Sequence, residues 1–381
     1  MISHIHIHNF KAHANTDLCI APLTIMTGIN GMGKSSVTQA LLLLRGSATD
    51  SSYPDRLSLK SRAVNIGGQS GPLVNWFVGN DDNPDMIHVI IDSDGDCGTL
   101  DFRFKYTLDN ATVLKAYPGY ANPDKELLAS HPLFNDRFQY LSAFRIGPQA
   151  SYGTDTDALE HRQVSADMGD GAYAVAVLER YGSDPIAIPE AILPDPASGK
   201  TDNSLKAQTT LWLDRISPRI QVTVNSDGDR HTLGYTYPRT NGLRGSVTAL
   251  NTGFGVSYVL PIIVGLLSTG PGGLVIIENP EAHIHPAAQS ALMELISRVV
   301  KGGAQVILET HSDHIIFGAL VNMKRSTLKK TDVSILHFDS PSYDGILSVT
   351  PVSIGPDCRI KNAPPHFVEQ MNLDLDVLFD E

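Results

Sequence analysis

Apolar and polar positions alternate at the start of the chain. Ile5 and Ile7 fall on one side and His4, His6 and His8 on the other, the period of two that predicts a half-buried first strand. Residues 23–26 form a short apolar run read as a buried strand, followed by a glycine loop and a pattern predicting a helix over 35 to about 45. Between 73 and 106, strand-like runs are separated by the turn signals Asn80-Asp81-Asp82-Asn83-Pro84 and Asp94-Gly95. Residues 170–217 read as helical and loop-rich, with prolines at 185, 189, 194 and 196 and a helix around 207–216.

From Gly253 the rhythm becomes helix (256–267), strand (274–277), helix (286–300) and strand (304–308). Ala291, Leu292, Leu295, Ile296 and Val299 mark one buried helical face, Pro286 suits a first turn, and Gly302-Gly303 stops the helix. This alternation predicts an α/β fold whose sheet is mainly parallel, with antiparallel N-terminal strands and a small helical subdomain. We expect one domain over 1–381, an insert at 150–245 and a tail at 361–381. The stretch 372–381 is acidic with interspersed Leu and Phe, which suits a docked or partner-binding segment.

The 381 residues carry a formal net charge of −12, so bulk charge does not draw the chain to nucleic acid or anionic membrane. The dense basic run at 324–330 reads either as a solvated helix end or as a DNA or partner contact. Cys19, Cys97 and Cys358 are isolated, which excludes a disulfide framework and suits a reducing cytoplasm. The longest apolar stretch, 259–267, is about half a membrane span and contains Pro261; no membrane association is expected. No heptad run is present, so long coiled-coil arms are not expected.

The segment Gly28-Ile29-Asn30-Gly31-Met32-Gly33-Lys34-Ser35, with Ser36 after it, fits G-x-x-x-x-G-K-S. Glycines let backbone N–H groups converge on one anion, where side chains would clash. Lys34 supplies a point charge for the outer phosphates, Ser35 a hydroxyl for Mg²⁺, and the following helix its N-terminal dipole. Nucleotide binding follows, with ATP and Mg²⁺ as the expected ligands.

An acidic residue at the end of a buried strand should complete such a site. Glu278 ends the apolar run 274–277 and is followed by Asn279-Pro280-Glu281-Ala282-His283-Ile284-His285. A second strand end, Leu308-Glu309-Thr310-His311, brings a histidine to the same kind of edge, where ligands of such sheets lie. Three metal patterns have plainer readings. His4, His6 and His8 read as an amphipathic strand because no carboxylate or Cys is near in sequence. Asp92, Asp94 and Asp96 read as a hairpin turn, and His283 and His285 as loop-shaping residues lacking a third ligand.

These segments together resemble the ATPase heads of the ABC class, in the branch containing SMC, RecF and OLD proteins. The opening Asn9-Phe10-Lys11, the segments Glu278-Asn279-Pro280-Glu281-Ala282-His283 and Thr310-His311-Ser312-Asp313-His314, the run Leu141-Ser142-Ala143-Phe144-Arg145-Ile146-Gly147-Pro148 and the closing Pro364-Pro365-His366-Phe367 carry the likeness. More closely they look like OLD-type AAA ATPases of anti-phage loci, such as Septu and Gabija ATPases. The resemblance implies that Gly253, Gly255 and Ser257 form a signature segment capping the γ-phosphate of a second copy. The alternative is a glycine-rich helix cap with Ser257 an ordinary helical residue. It also implies that His311 contacts the γ-phosphate and that Glu278 serves the metal.

ABC enzymes usually pair Asp with Glu at the acidic strand end, whereas here the pair is Glu278-Asn279. Asn279 cannot accept a proton as a carboxylate does, so Glu281 is the substitute and slow hydrolysis is expected. The resemblance favours an ATP-gated homodimer or higher oligomer that controls a separately encoded effector, a nuclease. The alternative is a RecF- or SMC-like repair ATPase that binds DNA itself. A nuclease on the same chain needs more than the 70 residues after His311. A small-molecule kinase leaves the 278–281 loop unexplained.

Overall fold

The computed structural model describes residues 1–66, 86–105, 112–165, 167–238, 244–339, 347–364 and 367. Two compact units emerge: 1–130 with 309–313 and 329–381, and 131–308 with 314–328.

The first unit opens with β1 (Ile2–Phe10), β2 (His13–Cys19), β3 (Leu23–Gly28) and α1 (Lys34–Ala48). It continues through β4 (Arg56–Ser58), β5 (Met86–Ser93), β6 (Thr99–Lys105), β7 (Val113–Ala116) and α2 (Lys125–Ala129). The second unit holds β8 (Phe138–Leu141), α3 (Thr156–Glu160), α4 (Ala174–Tyr181), α5 (Leu205–Ile216), β9 (Gln221–Asp227), β10 (Arg230–Pro238) and β11 (Arg244–Thr248). Then come α6 (Phe254–Ser268), β12 (Leu274–Glu278), α7 (Pro286–Lys301), β13 (Gln305–Glu309) and α8 (Asp313–Lys324). The chain returns to the first unit for β14 (Val333–Asp339), β15 (Ser348–Pro351), β16 (Ser353–Ile354) and β17 (Ile360–Lys361).

In the first unit, an antiparallel sheet runs β2-β1-β5-β6-β7-β4. Ile5 and Ile7 are fully buried, as the alternation predicts, and pack in a core with Leu18, Ile91 and Phe102. The polar face differs from the sequence reading. The carboxylates missing from the local sequence arrive across the sheet: His6 Nδ1 lies 2.7 Å from Asp17 Oδ1, and His88 Nε2 lies 2.9 Å from Asp101 Oδ1. Among the described residues, no group of three or more His, Cys, Asp or Glu is arranged to hold a metal.

A second layer of this unit sets β15, β14 and β3 side by side, with β14 parallel to β3 and antiparallel to β15. β3 is buried on both faces, which explains its unbroken apolar run. Gly95–Cys97 form a 3₁₀ turn between antiparallel β5 and β6, the hairpin expected at Asp94-Gly95. The turn expected at 80–84 and the tail at 372–381 lie outside the described residues.

In the second unit β13, β12 and β8 are neighbours, and β8 and β12 run parallel. The predicted helix–strand–helix–strand series is present as α6, β12, α7 and β13, with Pro286 opening α7 and Gly302 capping it. The segment 150–245 is helical only in part. After α3, α4 and α5 it builds the antiparallel three-stranded sheet β9-β10-β11, which the sequence reading did not anticipate. No helix of the described residues is long and apolar enough to cross a membrane. At 324–330, Lys324, Arg325, Lys329 and Lys330 are exposed while Leu328 is buried.

Candidate functional site

The phosphate loop joins the carboxyl end of β3 to α1. Three of its glycines have positive φ, +129° at Gly28, +81° at Gly31 and +82° at Gly33, a region other residues enter only with strain. At Gly28 a Cβ would stand 2.0 Å from the Phe338 carbonyl oxygen, so the loop leaves β3 pressed against β14. Gly33 caps α1 without a side-chain cap; the Ser36 and Val37 amides return to its carbonyl at 3.0 and 3.4 Å, so the Lys34 and Ser35 amides are the ones that helix geometry leaves open.

Lys34 is 3% exposed, and its Nζ donates to the carbonyls of Gly28 at 2.9 Å and Ile29 at 2.8 Å. Burial pushes its pKa down, and the nearby Glu309 carboxylate opposes that shift. The ammonium is therefore already held inside the loop, where an anion would meet it. Ser35 Oγ donates to Glu309 Oε1 at 2.8 Å. Glu309 closes β13 and, with residues 310–313, belongs to the first unit; the next amide, of Thr310, donates to Met26 O of β3 at 3.0 Å.

Glu309 is a second strand-end acid, standing beside Ser35, whereas the sequence points to Glu278 for the metal. Both end buried strands, Glu278 after four apolar positions and Glu309 after three, and only spatial proximity distinguishes them. A serine hydroxyl and a carboxylate bonded to each other beside a glycine cradle form an oxygen donor set that fits Mg²⁺. Asn30 and Gly31 are exposed, Met32, Ser35 and Ser36 half-buried, and His311 is exposed two residues beyond Glu309.

In the second unit, Glu278 is 9% exposed at the end of β12. Its carboxylate accepts from Tyr140 Oη at 3.0 Å and from the Ala143 amide at 3.2 Å. Burial pushes its pKa up, against these two bonds and Arg145. Arg145 is buried and reaches three carbonyls: Ser142 at 2.5 Å, Glu278 at 2.6 Å and Asn279 at 2.7 Å. Desolvation pushes its pKa down to about 10, with Glu281 the leading opposing charge, so it stays a cation at neutral pH. Arg145 thus pins the 278–279 turn, where Asn279 takes φ +44°. In the sequence Arg145 lies within the 141–148 run, where no local pattern marks it as the residue that fixes this turn.

The glycine segment before α6 departs from expectation in one respect. Gly253 is exposed, but Ser257 is 4% exposed, and its hydroxyl shares a 3.2 Å hydrogen bond with Tyr235 Oη of β10. The hydroxyl expected to face an anion is turned inward, because α6 is buried along most of its length and β10 supplies a partner. What the segment presents outward is backbone and Phe254, which stacks on Tyr258 with His283 edge-on to both rings. Gly255 is required here, since a Cβ would meet the His283 carbonyl oxygen at 2.2 Å. His285 Nδ1 accepts the Ala287 amide at 3.2 Å, capping α7. The two histidines pack and cap.

Residues 1–160 match the family described as AAA ATPase domain, and residues 166–316 the family described as AAA domain, putative AbiEii toxin, Type IV TA system. No curated protein matches the chain. Among solved structures, the Smc head bound to the C-winged helix domain of ScpA aligns with TM-score 0.54 at 13% identity, covering 92% of this chain and 97% of that one. The Smc head with an extended coiled coil bound to the C-terminal domain of ScpA, from Pyrococcus furiosus, aligns with TM-score 0.52 at 12% identity, covering 100% and 98%. The fold is that of SMC head P-loop ATPases.

Proposed function

We propose that this chain binds ATP with Mg²⁺ on its phosphate loop, hydrolyses it slowly, and joins a second copy of itself when nucleotide is bound. The observation that carries the reading is the buried Lys34 ammonium lodged in a positive-φ glycine loop, with Ser35 bonded to Glu309 beside it. The loop amides and Lys34 would bind phosphate, and Ser35 and Glu309 would hold the metal, which would supply charge neutralisation at the phosphate oxygens. Glu278, Asn279, Glu281 and His311 are the proposed hydrolytic set. Asn279 offers no carboxylate, so turnover is slow.

We further read the switch as acting inside the cell on a separately encoded effector, a nuclease in anti-phage defence. The motifs of 278–283 and 310–314 support this, as does the toxin–antitoxin description of the family matched over 166–316. The Smc heads that bind ScpA domains support a protein partner on this fold. A RecF- or SMC-like ATPase acting directly on DNA is the second reading, favoured by the SMC fold and disfavoured by the net charge of −12. Salt-dependent DNA binding by the purified protein selects it.

Size-exclusion chromatography with and without ATP tests the switch. Wild type should shift to a larger species with ATP and Lys34→Ala should not. An elution volume indifferent to both nucleotide and mutation contradicts nucleotide-driven association.

A further inference from the structure

We propose that His13 is a positioning residue of the phosphate loop: its Nε2–H holds the Gly33 carbonyl and so aims the Lys34 amide at the bound phosphate. This rests on the nucleotide reading above.

His13 begins β2, is fully buried, and stands 2.9 Å from the Gly33 carbonyl through Nε2 and 3.0 Å from Thr16 Oγ1 through Nδ1. A carbonyl can only accept, so Nε2 carries the proton, and Nδ1 accepts from the Thr16 hydroxyl. The pair of partners fixes one tautomer. Burial keeps the ring neutral, pushing its pKa down to about 4. The edge of Phe338 in β14 closes the pocket, with ring centroids 6.4 Å apart.

Of the inward positions of β2, two are polar, His13 and Thr16, and they bond to each other beside Leu18. An apolar side chain of similar volume would fill this place, so packing alone does not call for an imidazole. The loop is also drawn close to the ring: a Cβ on Gly33 would stand 3.1 Å from His13 Nε2 and 3.4 Å from Ala12 Cβ.

The consequence follows from the peptide bond itself. In a trans peptide the C=O and the next N–H point in opposite directions. Drawing the Gly33 carbonyl inward turns the Lys34 N–H outward, among the first-turn amides of α1 where an anion binds. Within α1 the Ser36 and Val37 amides reach the same carbonyl at 3.0 and 3.4 Å, and His13 adds the one donor from outside the helix, bracing a peptide that glycine at 33 would otherwise leave easier to turn. A loop ordered in advance loses less entropy on binding. His13 lies behind the loop and acts through Gly33.

The test measures ATP affinity with Mg²⁺ by titration calorimetry, alongside the unliganded melting temperature, for wild type, Lys34→Ala, His13→Leu, His13→Gln and Thr16→Val. His13→Leu should stay folded yet weaken ATP binding about tenfold, the worth of one ordered hydrogen bond. His13→Gln, which keeps a donor, should bind within about threefold of wild type. Thr16→Val, which releases the tautomer, should fall between them.

Loss of affinity without loss of unliganded stability is the signature that a purely structural histidine does not give. If His13→Leu does not fold, the Gln and Val variants decide. A tenfold defect in His13→Gln, or unchanged affinity in Thr16→Val, overturns the role. A folded His13→Leu that binds ATP like wild type while Lys34→Ala fails also overturns it. Wild-type affinity in Lys34→Ala overturns the nucleotide reading instead.

Discussion

The Ser35 hydroxyl donates to the Glu309 carboxylate at 2.8 Å across 274 residues of sequence. This bond ties the helix after the phosphate loop to the end of β13, and it assigns the acid beside the loop. Glu309→Gln should therefore raise the Mg²⁺ concentration needed for half-maximal ATP binding about tenfold, roughly one lost charged ligand. Ser35→Ala should act similarly, and the double variant should cost less than the sum of the two, since the residues act as a pair. A Mg²⁺ titration of ATP binding measures this. Additive effects contradict a shared site.

Arg145 holds the carbonyls of Ser142, Glu278 and Asn279 from a buried position. Arg145→Met should destabilise the protein by roughly 3 kcal/mol, because it strands the buried carbonyls of Ser142 and Glu278 and the half-buried one of Asn279. Arg145→Lys should recover only part of this, because an ammonium cannot reproduce the planar fork. Urea denaturation provides the measurement.

Two glycines separate steric from conformational demand. At Gly255 a methyl group would stand 2.2 Å from the His283 carbonyl, whereas at Gly31 nothing lies within 4 Å and only φ +81° resists substitution. Gly31→Ala should cost about 1–2 kcal/mol. Gly255→Ala should cost more and disturb the contact of Phe254 with His283. Thermal melts of the two variants rank them, and an equal or smaller effect at 255 contradicts the close approach.

Acid should destabilise the fold in a defined window. Burial pushes His13 from 6.5 down to about 4, and it does the same to His131. Below pH 6.5 the unfolded histidine takes up a proton that the native one refuses. Stability therefore falls as pH drops from about 6.5 to about 4 and then levels, by about 1.4 kcal/mol per pH unit for each such histidine. Stability curves for His13→Gln should be shallower in that window by up to one proton. Parallel curves contradict the buried neutral ring.

Contiguous features were legible in the chain. The phosphate loop is one unbroken motif, and β3, β12 and β13 are apolar runs whose burial on both faces leaves no ambiguity. Features assembled across the sequence were not. β9 carries only Val222 and Val224 among polar residues, too weak an alternation to announce the small sheet. Without that sheet Tyr235 was unforeseen, and with it the inward turn of Ser257. Glu278 and Glu309 follow the same pattern, and only the fold brings Glu309 to Ser35. His13 sat in a polar stretch, Ala12-His13-Ala14-Asn15-Thr16, and its partner carbonyl lies 20 residues away.

The most direct measurement is equilibrium binding of ATP, with Mg²⁺, to the purified wild-type protein and to Lys34→Ala at matched fold stability. Wild type should bind at micromolar concentrations, and the variant should lose at least about a hundredfold, the worth of a buried charge-assisted contact to phosphate. Equal affinities, or no binding by a folded wild type, contradict a phosphate cradle at Lys34.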